Sequence, residues 1–209
     1  MMNNTKYNKK GDVYIISAPS GAGKTSLVKK LCEEWSFIRP SISLTTRKIR
    51  DSEVDGQDYF FVSKDEFNIK IKNGDFLEYQ YVYGNLYGST INSINQIINQ
   101  GHDVLLEIDY KGMLAVKKII ENAISIYIIP PDIDTLKERL NQRGEDATNI
   151  INKRMESSIK DLSYSKFADY CVVNDNFDLA LYNLQSIILG NKSNSRFLTD
   201  WIKNLMLVN

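Results

Sequence analysis

Val13-Tyr14-Ile15-Ile16-Ser17-Ala18-Pro19-Ser20-Gly21-Ala22-Gly23-Lys24-Thr25 is the stretch on which the fold turns. Its first four residues are apolar and mostly β-branched, which fits a strand covered on both faces, as in a parallel sheet. Ala18, Pro19, Ser20, Gly21, Ala22, Gly23, Lys24 and Thr25 then follow the spacing of a loop that holds a nucleoside triphosphate. Only the first position departs, with Ala18 in place of glycine. A helical stretch over 26–35 completes the strand–loop–helix order. The chemistry needs small residues so that backbone N–H groups can wrap an anion, and a helix start to face the phosphates. Lys24 reaches the β- and γ-phosphates in this reading, and the Thr25 hydroxyl ligates Mg²⁺. The competing reading is a glycine-rich turn with no ligand. Gly-Lys-Thr directly after a buried strand argues against it. Ala18 matters only if that residue needs positive φ.

Further along, strands are expected over 41–44, 103–108, 123–129 and 169–173. Helices are expected over 89–99, 113–121, 132–141 and 177–189. Alternation of buried strands with helices gives an α/β fold with a parallel-sheet core. Residues 45–88 are polar, aromatic and basic, with turn signals at Asp55-Gly56 and Asn73-Gly74, and read as an inserted unit. The expected division is a disordered tail over 1–10 and one domain over 11–190. That domain has a core (11–44, 89–138, 159–190), an insert (45–88) and a lid (139–158). A helical extension over 191–209 follows, whose stripe of Phe197, Leu198, Trp201, Ile202 and Leu205 is expected to pack on the body of the chain.

The chain has 209 residues, ordinary for one domain, and 26 basic residues balance 26 acidic ones. Zero net charge argues against a general nucleic-acid binder or a polybasic membrane protein. Cys32 and Cys171 form neither a disulfide framework nor a metal pair, and His102 as the single histidine excludes histidine triads and multi-histidine metal sites. No apolar run approaches the roughly 20 residues of a membrane span. The polar start lacks the centre of a signal peptide, so the expected location is the cytoplasm.

What receives a phosphate is indicated by the segments after the loop. Ser43-Leu44-Thr45-Thr46-Arg47-Lys48-Ile49-Arg50 is followed by Glu53-Val54-Asp55-Gly56-Gln57-Asp58-Tyr59, Phe76-Leu77-Glu78 and Tyr87-Gly88-Ser89-Thr90. Glu107-Ile108-Asp109, Arg143-Gly144 and Val172-Val173-Asn174-Asp175 come later. In this order and spacing the chain resembles the guanylate kinases, P-loop kinases of GMP, from about Asp12 to Leu189. The resemblance implies a P-loop core with an inserted GMP-binding subdomain and a mobile lid. It implies the reaction ATP + GMP → ADP + GDP, serving guanine nucleotide synthesis and GMP recycling, with ATP as co-substrate and Mg²⁺ as cofactor.

A monophosphate dianion suits paired guanidiniums and phenols. By resemblance Arg47, Arg50, Tyr59 and Tyr87 hold the GMP phosphate. Glu78 can accept from both guanine donors, N1–H and N2–H₂. Ser43, Ser89 and Asp109 complete that side, and Glu107 joins Thr25 as the metal end. Arg139 and Asn174 are expected beside the adenine. Lys24, Arg47, Arg143 and Arg154 are the expected catalytic cations. Ser158 and Asp161 stand where the family usually has alanine and glutamate. Two other classes of function compete with this one. A peptide-binding scaffold module of this family would have a degraded loop. A kinase of another phosphorylated ribose would leave Glu78 without a partner. The oligomeric state is left open.

Overall fold

The computed structural model describes residues 11–51, 53–82, 84–142, 148–193 and 206, the side chains of 142–154 excepted. The expected tail over 1–10, Arg143, the side chain of Arg154 and the stripe from Phe197 to Leu205 lie outside the described residues.

The chain runs β1 (Val13–Ser17), α1 (Lys24–Glu34), β2 (Ile38–Pro40), β3 (Leu44–Thr45), β4 (Phe60–Phe61), α2 (Lys64–Asn73), β5 (Phe76–Val82), β6 (Asn85–Thr90), α3 (Ile91–Asn99), β7 (Asp103–Glu107), α4 (Tyr110–Ile119), β8 (Ile124–Ile129), α5 (Ile133–Gln142), α6 (Thr148–Leu162), a 3₁₀ turn (Ser163–Phe167), β9 (Tyr170–Val173) and α7 (Phe177–Lys192). Five parallel strands form the core sheet in the order β2-β7-β1-β8-β9. Four form a second sheet, β4-β3-β6-β5, in which only β3 and β4 are parallel. This is the mixed α/β architecture with a parallel sheet that the first strand announced.

Because strand side chains alternate between faces, β1 divides the core in two. Tyr14 and Ile16 pack with Leu27, Val28 and Leu31 of α1 and with Ala180, Leu184 and Ile188 of α7. Val13 and Ile15 pack on the other face with Ile94 of α3 and with Met113 and Val116 of α4. All of β1 is buried. Its carboxyl end therefore opens at the centre of the sheet, where open α/β sheets bind ligands.

The single strand expected over 41–44 is two strands in two sheets. Pro40 is tolerated at the end of β2 because this is the edge strand of its sheet, and the bonding to β7 runs on through Ser41. Ser41 N donates to Leu105 O at 2.9 Å, and the chain then crosses to begin the second sheet at Leu44. The helix expected from 89 starts at Ile91, because Ser89 and Thr90 finish β6 and the Thr90 hydroxyl caps Ser93 N. The helix expected from 113 starts at Tyr110, because Asp109 Oδ1 accepts from Gly112 N at 2.8 Å. In the second sheet, Phe67 of α2 is fully buried and stacks on Phe76, ring centroids 4.4 Å apart. Among the described residues no helix is long and apolar enough to cross a membrane.

Candidate active site

The loop between β1 and α1 wraps tightly. Ala22 N donates to Pro19 O, and Gly21 and Gly23 adopt left-handed φ of 90° and 89°, a region open to glycine without strain. No side chain caps α1 at Gly23, and its first turn carries no acid. Its leading N–H groups are thus available to an anion.

The loop is braced from behind. Asn174, 4% exposed, donates its Nδ2–H to Ala22 O at 2.8 Å. A Cβ on Gly23 would lie 2.3 Å from that nitrogen. The Ser158 hydroxyl, fully buried in α6, donates to Ser20 O at 3.1 Å. Ser158 is one of the two departures noted in the sequence, and here it ties α6 to the loop. At the other, the Asp161 backbone carbonyl accepts from Tyr127 Oη. Arg139 Nη2 donates to Asn174 O at 3.1 Å, while its Nη1 is buried without a partner among the described residues. Asn174 therefore faces the loop carbonyl and stands beside Arg139.

At the mouth of β1, Lys24 Nζ donates to Ile108 O at 3.1 Å and lies 4.0 Å from Glu107 Oε1. Thr25 Oγ1 donates to the same carboxylate oxygen at 2.5 Å. Asp109, expected as a substrate contact, caps α4 through one oxygen and lines the cleft as well.

Across the cleft the second sheet builds its wall rung by rung. Glu78 of β5 is paired with Ser89 of β6, and Ser43 enters β3 beside them. Ser89 N donates to Glu78 Oε1 at 3.1 Å, and the Ser43 and Ser89 hydroxyls are 3.2 Å apart. Ser89 is fully buried and holds its two neighbours in place. Glu78 is 6% exposed. Burial pushes its carboxyl up to about 7; the Ser89 hydrogen bond opposes this and Asp109 adds to it.

The phosphate-type residues are wired together. Arg47 forms a bidentate pair with Glu53, 2.9 Å and 2.6 Å, and donates Nε–H to the Tyr87 hydroxyl at 3.2 Å. It also lies over the Tyr59 and Phe61 rings. The Glu53 hydrogen bond raises the arginine's proton affinity, and Arg47 in turn lowers that of Glu53. Burial moves Tyr59 up to about 12. Arg50 sits on the exposed turn, its backbone N bonded to Glu53.

A cleft of about 140 Å³ joins the two walls. It is lined by Lys24, Glu107 and Asp109 from the core and by Ser43, Tyr59, Glu78 and Tyr87 from the insert. Arg47 and Ser89 stand behind this lining; Arg139 and Asn174 lie on the far side of the loop. Two functional residues escaped the sequence reading. Glu53 was quoted in a motif but given no role, though a carboxylate six residues from Arg47 in a turn is a partner signal. Gln80 lines the cleft two residues beyond Glu78, where strand alternation alone would have put it.

A family model described as guanylate kinase matches residues 10–191. A guanylate kinase of Pseudomonas fluorescens is 46% identical over 182 residues, covering 87% of this chain and 88% of that protein. A guanylate kinase of Hydrogenovibrio crunogenus is 45% identical, covering 87% and 89%. The crystal structure of guanylate kinase from Anaplasma phagocytophilum superposes with a TM-score of 0.75 at 27% identity, covering 89% of this chain and 88% of that one.

Proposed function

This chain belongs to the guanylate kinase family, and from that premise we propose how its residues divide the work of carrying phosphate from ATP to GMP. It is an enzyme that phosphorylates GMP to GDP at the expense of ATP. The observation that carries the assignment of roles is the single cleft in which Lys24 of the loop faces Glu78 and Tyr87 of the insert.

On the donor side the N–H groups of residues 18–25 and the start of α1 hold the ATP phosphates, and Lys24 follows the charge as it moves. Arg139 covers the adenine. Asn174 braces the loop through Ala22 O and stands with Arg139 at the adenine end. Thr25 and Glu107 offer two hard oxygens side by side. Among the described residues no group of three or more His, Cys, Asp or Glu could make an all-protein cage. That donor set suits Mg²⁺, which takes one or two protein ligands together with phosphate oxygens and water. Held there by Thr25 and Glu107, it would supply positive charge to the ATP phosphates.

On the acceptor side Glu78 accepts from guanine N1–H and N2–H₂. Ser43 bonds the base, and Ser89 and Asp109 support that end. Tyr59, Tyr87, Arg47 and Arg50 bind the GMP phosphate, Arg47 keeping Glu53 as its orienting partner. A GMP phosphate oxygen then attacks the γ-phosphorus. The new P–O bond forms as the bond to the β–γ bridging oxygen breaks, and the electron pair leaves with ADP. Positioning and charge stabilisation do most of this work. Arg143 and Arg154 of the lid add positive charge at the transferred group.

The test is a coupled ADP-release assay with GMP, AMP, UMP and CMP as acceptors. GMP should be preferred by at least about a hundredfold, since a buried carboxylate facing the wrong base edge is left unpaired. Comparable rates with all four would defeat the guanine pocket.

A further inference from the structure

Strand β5 aims Glu78, Gln80 and Val82 into the cleft in strict alternation, with Tyr79 and Tyr81 on the exposed face. Glu78 lies opposite Ser89, and Gln80 lies opposite Tyr87. Two rungs follow one another on this wall. The first carries Ser43, Ser89 and Glu78, joined by hydrogen bonds. The second carries Tyr87, whose hydroxyl is bonded to Arg47, and Gln80 on the edge strand. Every other polar side chain on these rungs is engaged within the protein. The Gln80 carboxamide, half-buried in the cleft lining, has no hydrogen-bond partner among the described residues.

A nucleoside monophosphate is a base, a sugar and a phosphate in that order. If the first rung takes the base and the Tyr87–Arg47 group takes the phosphate, Gln80 faces what lies between them. Its carboxamide carries an acceptor and donors on one planar group. That is the complement of a sugar hydroxyl, which donates and accepts. We propose that Gln80 is a specificity-determining residue that hydrogen-bonds the ribose 2′-hydroxyl of the acceptor, so that the enzyme favours the ribonucleotide over its 2′-deoxy counterpart. This rests on the reading of the cleft given above. A 2′-deoxy acceptor removes one hydroxyl and leaves the base and phosphate contacts intact, so the effect is confined to a ratio.

The experiment is steady-state kinetics of wild type and Gln80→Ala with GMP and 2′-deoxy-GMP, and of Glu78→Gln with GMP and AMP. Thermal melting confirms that both variants fold. Wild type should favour GMP. In Gln80→Ala the GMP to 2′-deoxy-GMP ratio of kcat/KM should fall about three- to tenfold, chiefly through KM, the size of one lost neutral hydrogen bond. The GMP to AMP ratio should shrink only in Glu78→Gln. If the sugar ratio is unmoved in Gln80→Ala while Glu78→Gln alters the base ratio, the sugar contact is overturned and the cleft reading stands. If neither ratio moves, both are overturned.

Discussion

The two walls of the cleft are built by different means. The core wall is backbone: a loop of small residues at the end of a strand buried on both faces. Its carbonyls are pinned by Asn174 and Ser158 from distant elements. The insert wall is side chain: each charged group is held by another, Arg47 by Glu53 and Glu78 by Ser89. A backbone site has no proton to lose at ordinary pH and takes its shape from packing. A side-chain site draws its selectivity from groups whose charge depends on burial, so it titrates and can be retuned one residue at a time.

The comparison breaks most severely at Lys24, the cation that the loop itself carries. Lys24→Ala should lower kcat by about 10²–10³, the scale of a lost preorganised charge contact worth about 3–4 kcal/mol, with an unchanged circular dichroism spectrum. A native fold with less than a tenfold loss would mean that the backbone alone suffices.

Next comes Glu78→Gln on the insert wall. Glutamine turns an N–H₂ toward a guanine donor, so two donors face each other. Breaking such a pairing costs about 1–3 kcal/mol. The kcat/KM for GMP should drop at least about tenfold, with ATP affinity nearly unchanged. An equal loss for ATP would mean that the walls are not separable.

The titration sharpens the contrast further. Only the carboxylate of Glu78 can accept both guanine protons, and burial holds it protonated until about pH 7. For GMP, kcat/KM should rise with pH through an apparent pKa near 7, in a limb absent from Glu78→Gln. Binding of ATP should show no such limb. The same burial affects stability with a definite sign. The unfolded glutamate loses its proton near pH 4.5 and the folded one near 7, so folding is penalised increasingly as pH rises between them, by roughly 3 kcal/mol at most. Denaturant melts at pH 5 and 7.5 should therefore differ less in Glu78→Gln than in wild type.

The smallest effect is expected at Ser158→Ala, which removes one bond to the loop at a position where the family resemblance leads one to expect alanine. The loss should be about 0.5–1.5 kcal/mol, read as a two- to tenfold rise in KM for ATP with kcat for GMP little changed. A proportional fall in kcat would place the tie in the catalytic step.

The same division governs what could be read in advance. The core wall was legible because its signals are local: four apolar residues, two glycines, a lysine and a threonine within thirteen positions fix strand, loop and helix together. Four of the five strands of the core sheet, β1, β7, β8 and β9, are legible for the same reason. The insert was legible as motifs but not as wiring. Glu53 lies near Arg47 in sequence, but the two-nitrogen grip it takes depends on how the turn folds, and the burial of Ser89 between Ser43 and Glu78 depends on the pairing of β3, β5 and β6. The misplaced strand over 41–44 has a similar origin: β2 ends at Pro40, and the change of sheet that follows is decided by distant partners. The brace that Asn174 supplies to the loop is equally hidden from its motif. Its bond reaches back 152 residues to the loop, a separation no sequence window spans.

That long reach has a consequence for how the protein is made. The loop precedes its brace by 152 residues and leaves the ribosome first. Its brace is encoded near the end, at the close of β9, the edge strand of the core sheet. Until residue 174 has emerged and β9 has docked on β8, Ala22 lacks its partner and the space behind Gly23 is unfilled. A nascent chain therefore carries the triphosphate motif well before the side chain that braces it has been made.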